Sequence, residues 1–246
     1  MAAANDDSHL PGILCLHGYG TNASILRYQL RSITAPLRGH FRFVFLDGPF
    51  EVVNPGPGVP ASFAADARPF RRWHSDKTLS SIFGVSPETL RDERLQVRAL
   101  LQDTLEREKT TPSSPGQEEP GSRPGVIGVM AFSQGAGLAA ALCLDPELGK
   151  DIKFAVIICA LYPAVSLSED DENTEKNMID IPSIHVQGTL DTWRGQGTKV
   201  LEEYFVRGKV KRIEFRMGHE VPGKPKDAGI VADETLAIWK GVQDGL

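Results

Sequence analysis

Residues Gly128-Val-Met-Ala-Phe-Ser133-Gln-Gly-Ala-Gly137 read as a buried strand that stops on a serine and turns at once into a helix. Val126, Ile127, Val129 and Met130 supply an apolar run of the kind found in strands covered on both faces. Small residues after Gln134 let two backbones approach closely. A turn this tight forces the serine into a strained conformation with its hydroxyl exposed, the nucleophile elbow. The usual pattern is Gly-x-Ser-x-Gly, and Ala131 holds its first position. A plain buried serine at a tight turn gives the same local pattern. The elbow therefore stands only if the chain also supplies a base, an orienting acid and an oxyanion hole.

Outward from this stretch, short apolar runs alternate with helical ones, the signature of a parallel sheet with crossover helices. Strands are expected at Gly12–His17, Phe41–Leu46, Val126–Phe132, Phe154–Cys159, Ser183–Gln187 and Val210–Phe215. Helices are expected over Ser24–Leu37, Ser86–Arg107, Gly137–Cys143, Gly195–Val206 and Asp227–Lys240. The whole chain of 246 residues reads as one α/β domain with helices on both sheet faces. Residues 1–9 form a loose N-terminus. The Pro-, Gly- and aromatic-rich stretch 49–83 is too apolar for a tail and suits a lid or pocket wall. The stretch 109–124 (KTTPSSPGQEEPGSRP) lacks core residues and reads as a disordered insertion, and 166–180 as an exposed acidic excursion.

Composition narrows the function. Hydrophobic content of 41% and charged content of 24% are those of an ordinary soluble protein. A net charge of −5 with scattered cations excludes a nucleic-acid footprint. No run is apolar and long enough to span a bilayer, and the first residues carry no secretory pattern, which predicts a cytoplasmic protein. Cys15, Cys143 and Cys159 sit inside apolar runs without CxxC spacing, so they read as buried free thiols, not as a disulfide framework or zinc site.

A serine hydroxyl needs a base to take its proton, and histidine is the usual one. Of six histidines, His219 stands just past the last strand in Gly218-His-Glu-Val-Pro222, at the carboxyl edge where open α/β sheets bind ligands. Asp191 follows the strand Ser183–Gln187 and a glycine turn, and so can orient that imidazole, although a plain turn or cap role is the commoner fate of such an aspartate. The order Ser133, Asp191, His219 is that of an α/β-hydrolase triad. Two backbone N–H groups must form the oxyanion hole: Gln134, after the nucleophile, and Tyr19, in the turn His17-Gly18-Tyr19-Gly20 after the first strand. That turn has a rival reading, since Gly18, Gly20 and Ala23 match a dinucleotide-binding fingerprint with Asp47 ending the next strand, as in an NAD-dependent oxidoreductase. A non-catalytic binding protein on the same fold is a third. Both leave the three residues around the elbow unexplained.

Together, Leu14-Cys-Leu-His-Gly-Tyr-Gly-Thr-Asn22, Phe43-Val-Phe-Leu-Asp-Gly-Pro-Phe50, Ala131-Phe-Ser-Gln-Gly-Ala136, His185-Val-Gln-Gly-Thr-Leu-Asp191 and Gly218–Pro222 resemble the fungal serine hydrolase family over nearly the whole chain. Within it, Gly56–Pro60, Phe63–Asp66 and Trp73 look most like the thioesterases that release products from fungal highly reducing polyketide synthases, such as the one in lovastatin biosynthesis. The resemblance implies an α/β-hydrolase fold, a triad at Ser133, Asp191 and His219, and hydrolysis of thioesters or esters without cofactor or metal. It further implies an acyl carrier domain of a synthase as a partner. Ala131 departs from the family glycine. Phe63, Phe70, Trp73 and Trp193 are candidates for the substrate pocket, with core packing the alternative for each.

Overall fold

The computed structural model describes residues 7–57, 59, 67–75, 85–111, 121–164, 167 and 178–245. Six parallel strands form the central sheet: β1 (Gly12–Leu16), β2 (Arg42–Leu46), β7 (Val126–Phe132), β8 (Phe154–Ile158), β9 (Ser183–Gly188) and β10 (Val210–Phe215), in the spatial order β10-β9-β8-β7-β1-β2. Every pairing between them is parallel. The chain leaves β1 for β2 on one side, then crosses to β7 and winds outward on the other. The order therefore reverses between β1 and β7, and the crevice beyond their carboxyl ends is where such sheets place ligands. The expected strands all form, each within two residues of its predicted bounds.

The strands read as continuous apolar runs because both faces are covered. Leu14, Leu16, Val129 and Ala131 point into one core, with Val97 and Leu101 of α3 (Pro87–Arg107), Leu138 and Leu142 of α4 (Gln134–Leu144) and Val200 of α5 (Arg194–Tyr204). The intervening Ile13, Cys15, Met130 and Phe132 point into the other, with Leu26 of α1 (Ala23–Gln29), Ile33 of α2 (Arg31–Thr34) and Val231 of α6 (Pro225–Gln243). This is the period-two alternation of a strand, filled on both sides. The helix expected over 24–37 is instead α1, α2 and a 3-10 turn at Ala35–Leu37. Pro36 cannot donate into an α ladder, which favours the tighter end. Helix α4 starts three residues earlier than predicted, directly after Ser133, because the elbow itself is its N-terminal boundary.

Among the described residues, the 49–83 stretch contains two elements that period counting misses. β3 (Phe50–Val52) and β4 (Phe70–Arg72) pair antiparallel, apart from the main sheet. Their three-residue lengths leave no alternation to detect. β4 also bridges the turn after β1: the Gly20 N–H donates to the Arg71 carbonyl (2.9 Å) and the Arg71 N–H to the Thr21 carbonyl (2.7 Å). The ends of the 109–124 stretch are tied together, Thr110–Thr111 (β5) pairing with Gly121–Ser122 (β6), and its centre at 112–120 lies outside the described residues. Leu167 and Ile179 are buried at the two ends of the acidic excursion. Asp7–His9 form one 3-10 turn. No helix among the described residues is long and apolar enough to cross a membrane.

Candidate active site

Ser133 directly follows β7 with φ 57° and ψ −120°, a region that costs a non-glycine residue about 1–3 kcal/mol. The surroundings hold it there. Its N–H donates to the Ile158 carbonyl (3.0 Å), and its own carbonyl accepts from Ala136 and Gly137 at the start of α4. Gly135 must be glycine, since a Cβ there would lie 2.4 Å from the Leu16 carbonyl oxygen of the neighbouring strand. Ala131 lies two residues back inside the strand and fully buried, so its methyl is absorbed by the core cluster.

Two loops from the far half of the sheet meet the elbow. The loop after β10 carries His219, whose Nε2 lies 2.8 Å from the Ser133 Oγ. The loop after β9 carries Asp191, whose Oδ2 lies 2.8 Å from His219 Nδ1. A carboxylate only accepts, so the ring proton belongs on Nδ1, which leaves Nε2 to accept from the serine hydroxyl. The other carboxylate oxygen, Oδ1, accepts the Trp193 N–H (2.8 Å). The loops are tied to each other by Thr189 N–H to Phe215 O (2.8 Å) and Leu190 N–H to Met217 O (3.0 Å). Phe132 and Trp193 confine the imidazole, with ring centroids 5.1 and 4.6 Å away and Trp193 edge-on at 87°. Ser133 is buried, 6% exposed, at the carboxyl edge of the sheet.

Opposite this set, the turn after β1 brings Tyr19 near the elbow. A Cβ built on Gly18 would lie 3.1 Å from the Ser133 Cβ, so the two turns are in contact. As the first residue of α4, Gln134 has an N–H with no intrahelical partner. The Tyr19 N–H also has no hydrogen-bond partner among the described residues. Tyr19 itself is 43% exposed.

The expected pocket residues separate. Trp193 lies against His219, as above. Phe70 and Trp73 are 0% exposed, so they present nothing to a substrate, and their pocket role gives way to packing. The reason is the β3–β4 hairpin, which folds them inward instead of over the crevice. Phe63 lies outside the described residues.

Other residues near the site had no functional reading in the sequence. His17 is fully buried, its Nδ1–H donating to the Gly18 carbonyl (2.8 Å) and its Nε2 accepting the Gly48 N–H (2.9 Å). Burial, partly opposed by the Gly18 carbonyl, lowers its pKa to about 4 and keeps the ring neutral. The one signal for it was an imidazole between an apolar strand and a glycine turn. Cys159 directly follows β8, is buried, and shares with Ser133 the distinction of a positive φ (46°) among the described non-glycine residues. Its Sγ, an Asp191 oxygen and a His219 nitrogen lie within 4.8 Å of one another. Each already has a partner, the thiol facing the Glu220 carbonyl (3.7 Å) and the other two each other. Burial and the neighbouring Asp191 raise the Cys159 pKa to about 12, so it stays a thiol.

The geometry does not favour the dinucleotide reading of the same turn. Asn22 caps α1 through the Ile25 N–H (2.9 Å), and Asp47 accepts the Ala23 N–H (2.8 Å). The donors and the acid that such a cofactor would use are thus bound to each other.

Comparison with known proteins agrees with the architecture. The serine hydrolase (FSH1) family matches residues 8–229. A thioesterase of Gibberella zeae, FSL2, is 42% identical over 253 residues, covering 98% of this chain and 97% of its own length. A probable esterase of Aspergillus niger, azaC, is 32% identical over 240 residues, covering 93% and 85%. Among solved structures, a carboxylesterase from Mesorhizobium loti superposes with a TM-score of 0.57 at 17% identity, over 92% of this chain and 88% of that one, which speaks for the α/β-hydrolase fold alone.

Proposed function

We propose that this chain, which belongs to the serine hydrolase (FSH1) family, cleaves acyl thioesters and esters through an acyl-enzyme on Ser133. The observation that carries the reading is the unbroken set of contacts from Asp191 through His219 to the Ser133 hydroxyl, each 2.8 Å long. Ser133 Oγ attacks the acyl carbonyl carbon while His219 Nε2 takes the hydroxyl proton. The carbonyl electrons move onto oxygen, and the Tyr19 and Gln134 N–H groups stabilise that oxyanion. Asp191 keeps the ring oriented and stabilises the imidazolium. As the tetrahedral adduct collapses, His219 returns the proton to the leaving thiolate or alkoxide. Water then repeats the sequence on the acyl-enzyme and releases a carboxylic acid.

The physiological donor in this reading is a polyketide chain held as a thioester on the carrier domain of a fungal highly reducing synthase. Sequence resemblance to releasing thioesterases supports it, as does the thioesterase name of the Gibberella zeae relative. The esterase name of the Aspergillus niger relative supports a second reading, general carboxylesterase activity. Matched thioesters and oxygen esters of one acyl chain, assayed across chain lengths by acid release, separate the two. Faster release from the thioester of a long reduced chain is expected. Equal or faster turnover of simple oxygen esters would favour the carboxylesterase.

A further inference from the structure

The segment Arg72–Ser75 passes between the turn after β1 and the elbow after β7, and it touches both. The Trp73 indole Nε1–H donates to the His17 carbonyl (2.7 Å), and the Trp73 backbone N–H donates to Gln134 Oε1 (2.9 Å). The Gln134 amide nitrogen donates back to the His74 carbonyl (2.9 Å). The indole also packs on the His17 ring, with centroids 4.8 Å apart at 33°. Trp73 thus joins the residue before the Gly18–Tyr19 peptide, through its buried indole, to the residue after the nucleophile, through its backbone N–H.

Planarity turns these contacts into aim. In a trans peptide unit the C=O and N–H point in opposite directions. The Gly18 carbonyl and the Tyr19 N–H belong to one such unit. That carbonyl accepts from His17 Nδ1 (2.8 Å) and from the Thr21 hydroxyl (2.7 Å), both buried. Fixing it therefore fixes the direction of the Tyr19 N–H. The next amide, Gly20, is held by Arg71 O (2.9 Å), and Gly20 adopts φ +67°, which glycine tolerates.

The Trp73 segment is itself anchored from behind. Glu93 on α3 accepts from Arg72 (2.7 Å), from the Ser75 N–H (2.6 Å) and from the Ser75 hydroxyl (3.2 Å). Burial alone would raise the Glu93 carboxyl, yet the Arg72 and Ser75 hydrogen bonds hold it below its usual value, so it stays an anion.

We infer that Trp73, Thr21 and the side chains of His17 and Gln134 are positioning residues that hold the Tyr19 and Gln134 N–H groups at the spacing and angle of an oxyanion hole. The inference rests on the acyl-transfer reading above. It assigns the β3–β4 hairpin a part in the chemistry without contact with substrate.

The test uses Trp73→Phe, which keeps the ring and deletes the indole donor, and Thr21→Val, which deletes one hydroxyl in a similar volume. Each is assayed for kcat and KM on an activated ester, for inhibition by a trifluoromethyl ketone and for thermal midpoint. Trifluoromethyl ketones add to the serine and place an oxyanion in the hole. A tilt of one donor costs a fraction of its full 10²–10³-fold contribution, so we expect kcat to fall by about tenfold in each variant. KM should stay within about twofold, and the ketone should bind more weakly by about the same factor as kcat falls. Folded variants with wild-type kcat and unchanged ketone affinity would overturn the inference, as would a kcat loss with no loss of ketone affinity. A wild-type protein that hydrolyses no ester and takes no fluorophosphonate would instead defeat the acyl-transfer reading, and this inference with it.

Discussion

The two sides of the candidate site are built by different means. On the β8–β10 side, Asp191 and His219 are delivered by the ends of adjacent parallel strands, and their loops are tied by two backbone hydrogen bonds. On the β1 side, the Tyr19 turn is held by a buried set of side chains and by a hairpin outside the main sheet. One side takes its precision from sheet register, the other from hydrogen-bonded packing. The first carries the proton transfers in the proposed mechanism, and the second carries the charge that develops on the substrate oxygen.

That contrast orders the expected effects. Ser133→Ala and His219→Ala should each lower kcat by about 10⁴-fold or more, and Asp191→Asn by about 10⁴-fold, with the thermal midpoint within a few degrees of wild type. Steady-state kinetics beside a thermal melt checks this. A folded His219→Ala protein with substantial turnover would break the account of the β10 side. The Trp73 and Thr21 variants, read as above, come next in size and probe the other side.

Each side also contains one buried neutral histidine, which permits a comparison by pH. Burial lowers the pKa of His17 to about 4 and that of His185, in β9, to about 3, the latter helped by the nearby Arg212 charge. Unfolded histidine titrates near its ordinary 6.5. Between those values the unfolded chain binds more protons than the folded one, so stability falls as pH drops below about 6.5 and the loss is complete only below about 3. His185 Nε2 has no hydrogen-bond partner among the described residues, and the ring meets Phe205 edge-on at 4.4 Å. His185→Leu should therefore keep stability at pH 7 and flatten its decline between pH 6.5 and 4, measured by denaturant unfolding across that range. An unchanged slope would contradict it.

The smallest effect is expected at Tyr19. Its proposed role is main-chain, and the side chain is 43% exposed. Tyr19→Ala should leave kcat within about threefold of wild type, since the N–H remains. A loss as large as that at Asp191 would show that the phenol takes part in the chemistry.

The same contrast explains what was legible in the sequence. Strands buried on both faces announce themselves as apolar runs, and the residues just past them lie at one edge of the sheet. Ser133, Asp191 and His219 could therefore be selected by chain order and strand ends. The β3–β4 hairpin has three-residue strands and no periodicity, so its inward placement of Phe70 and Trp73 depends on pairing with Thr21, 50 residues away in the chain. An aromatic in a Pro/Gly-rich stretch looks the same whether it lines a pocket or closes a core. His17 was hidden for a related reason: its partners, Gly48 and Trp73, come from other elements. Cys159 was legible as a buried thiol, but its place beside Asp191 follows only from sheet order.

The most direct measurement is covalent labelling with a fluorophosphonate, read by intact mass and by peptide mapping of the adduct. One adduct per chain on Ser133, absent in Ser133→Ala and strongly slowed in folded His219→Ala, is the predicted result. No adduct on folded protein, or an adduct on another residue that persists in Ser133→Ala, would contradict the assignment of Ser133 as the acyl-accepting nucleophile.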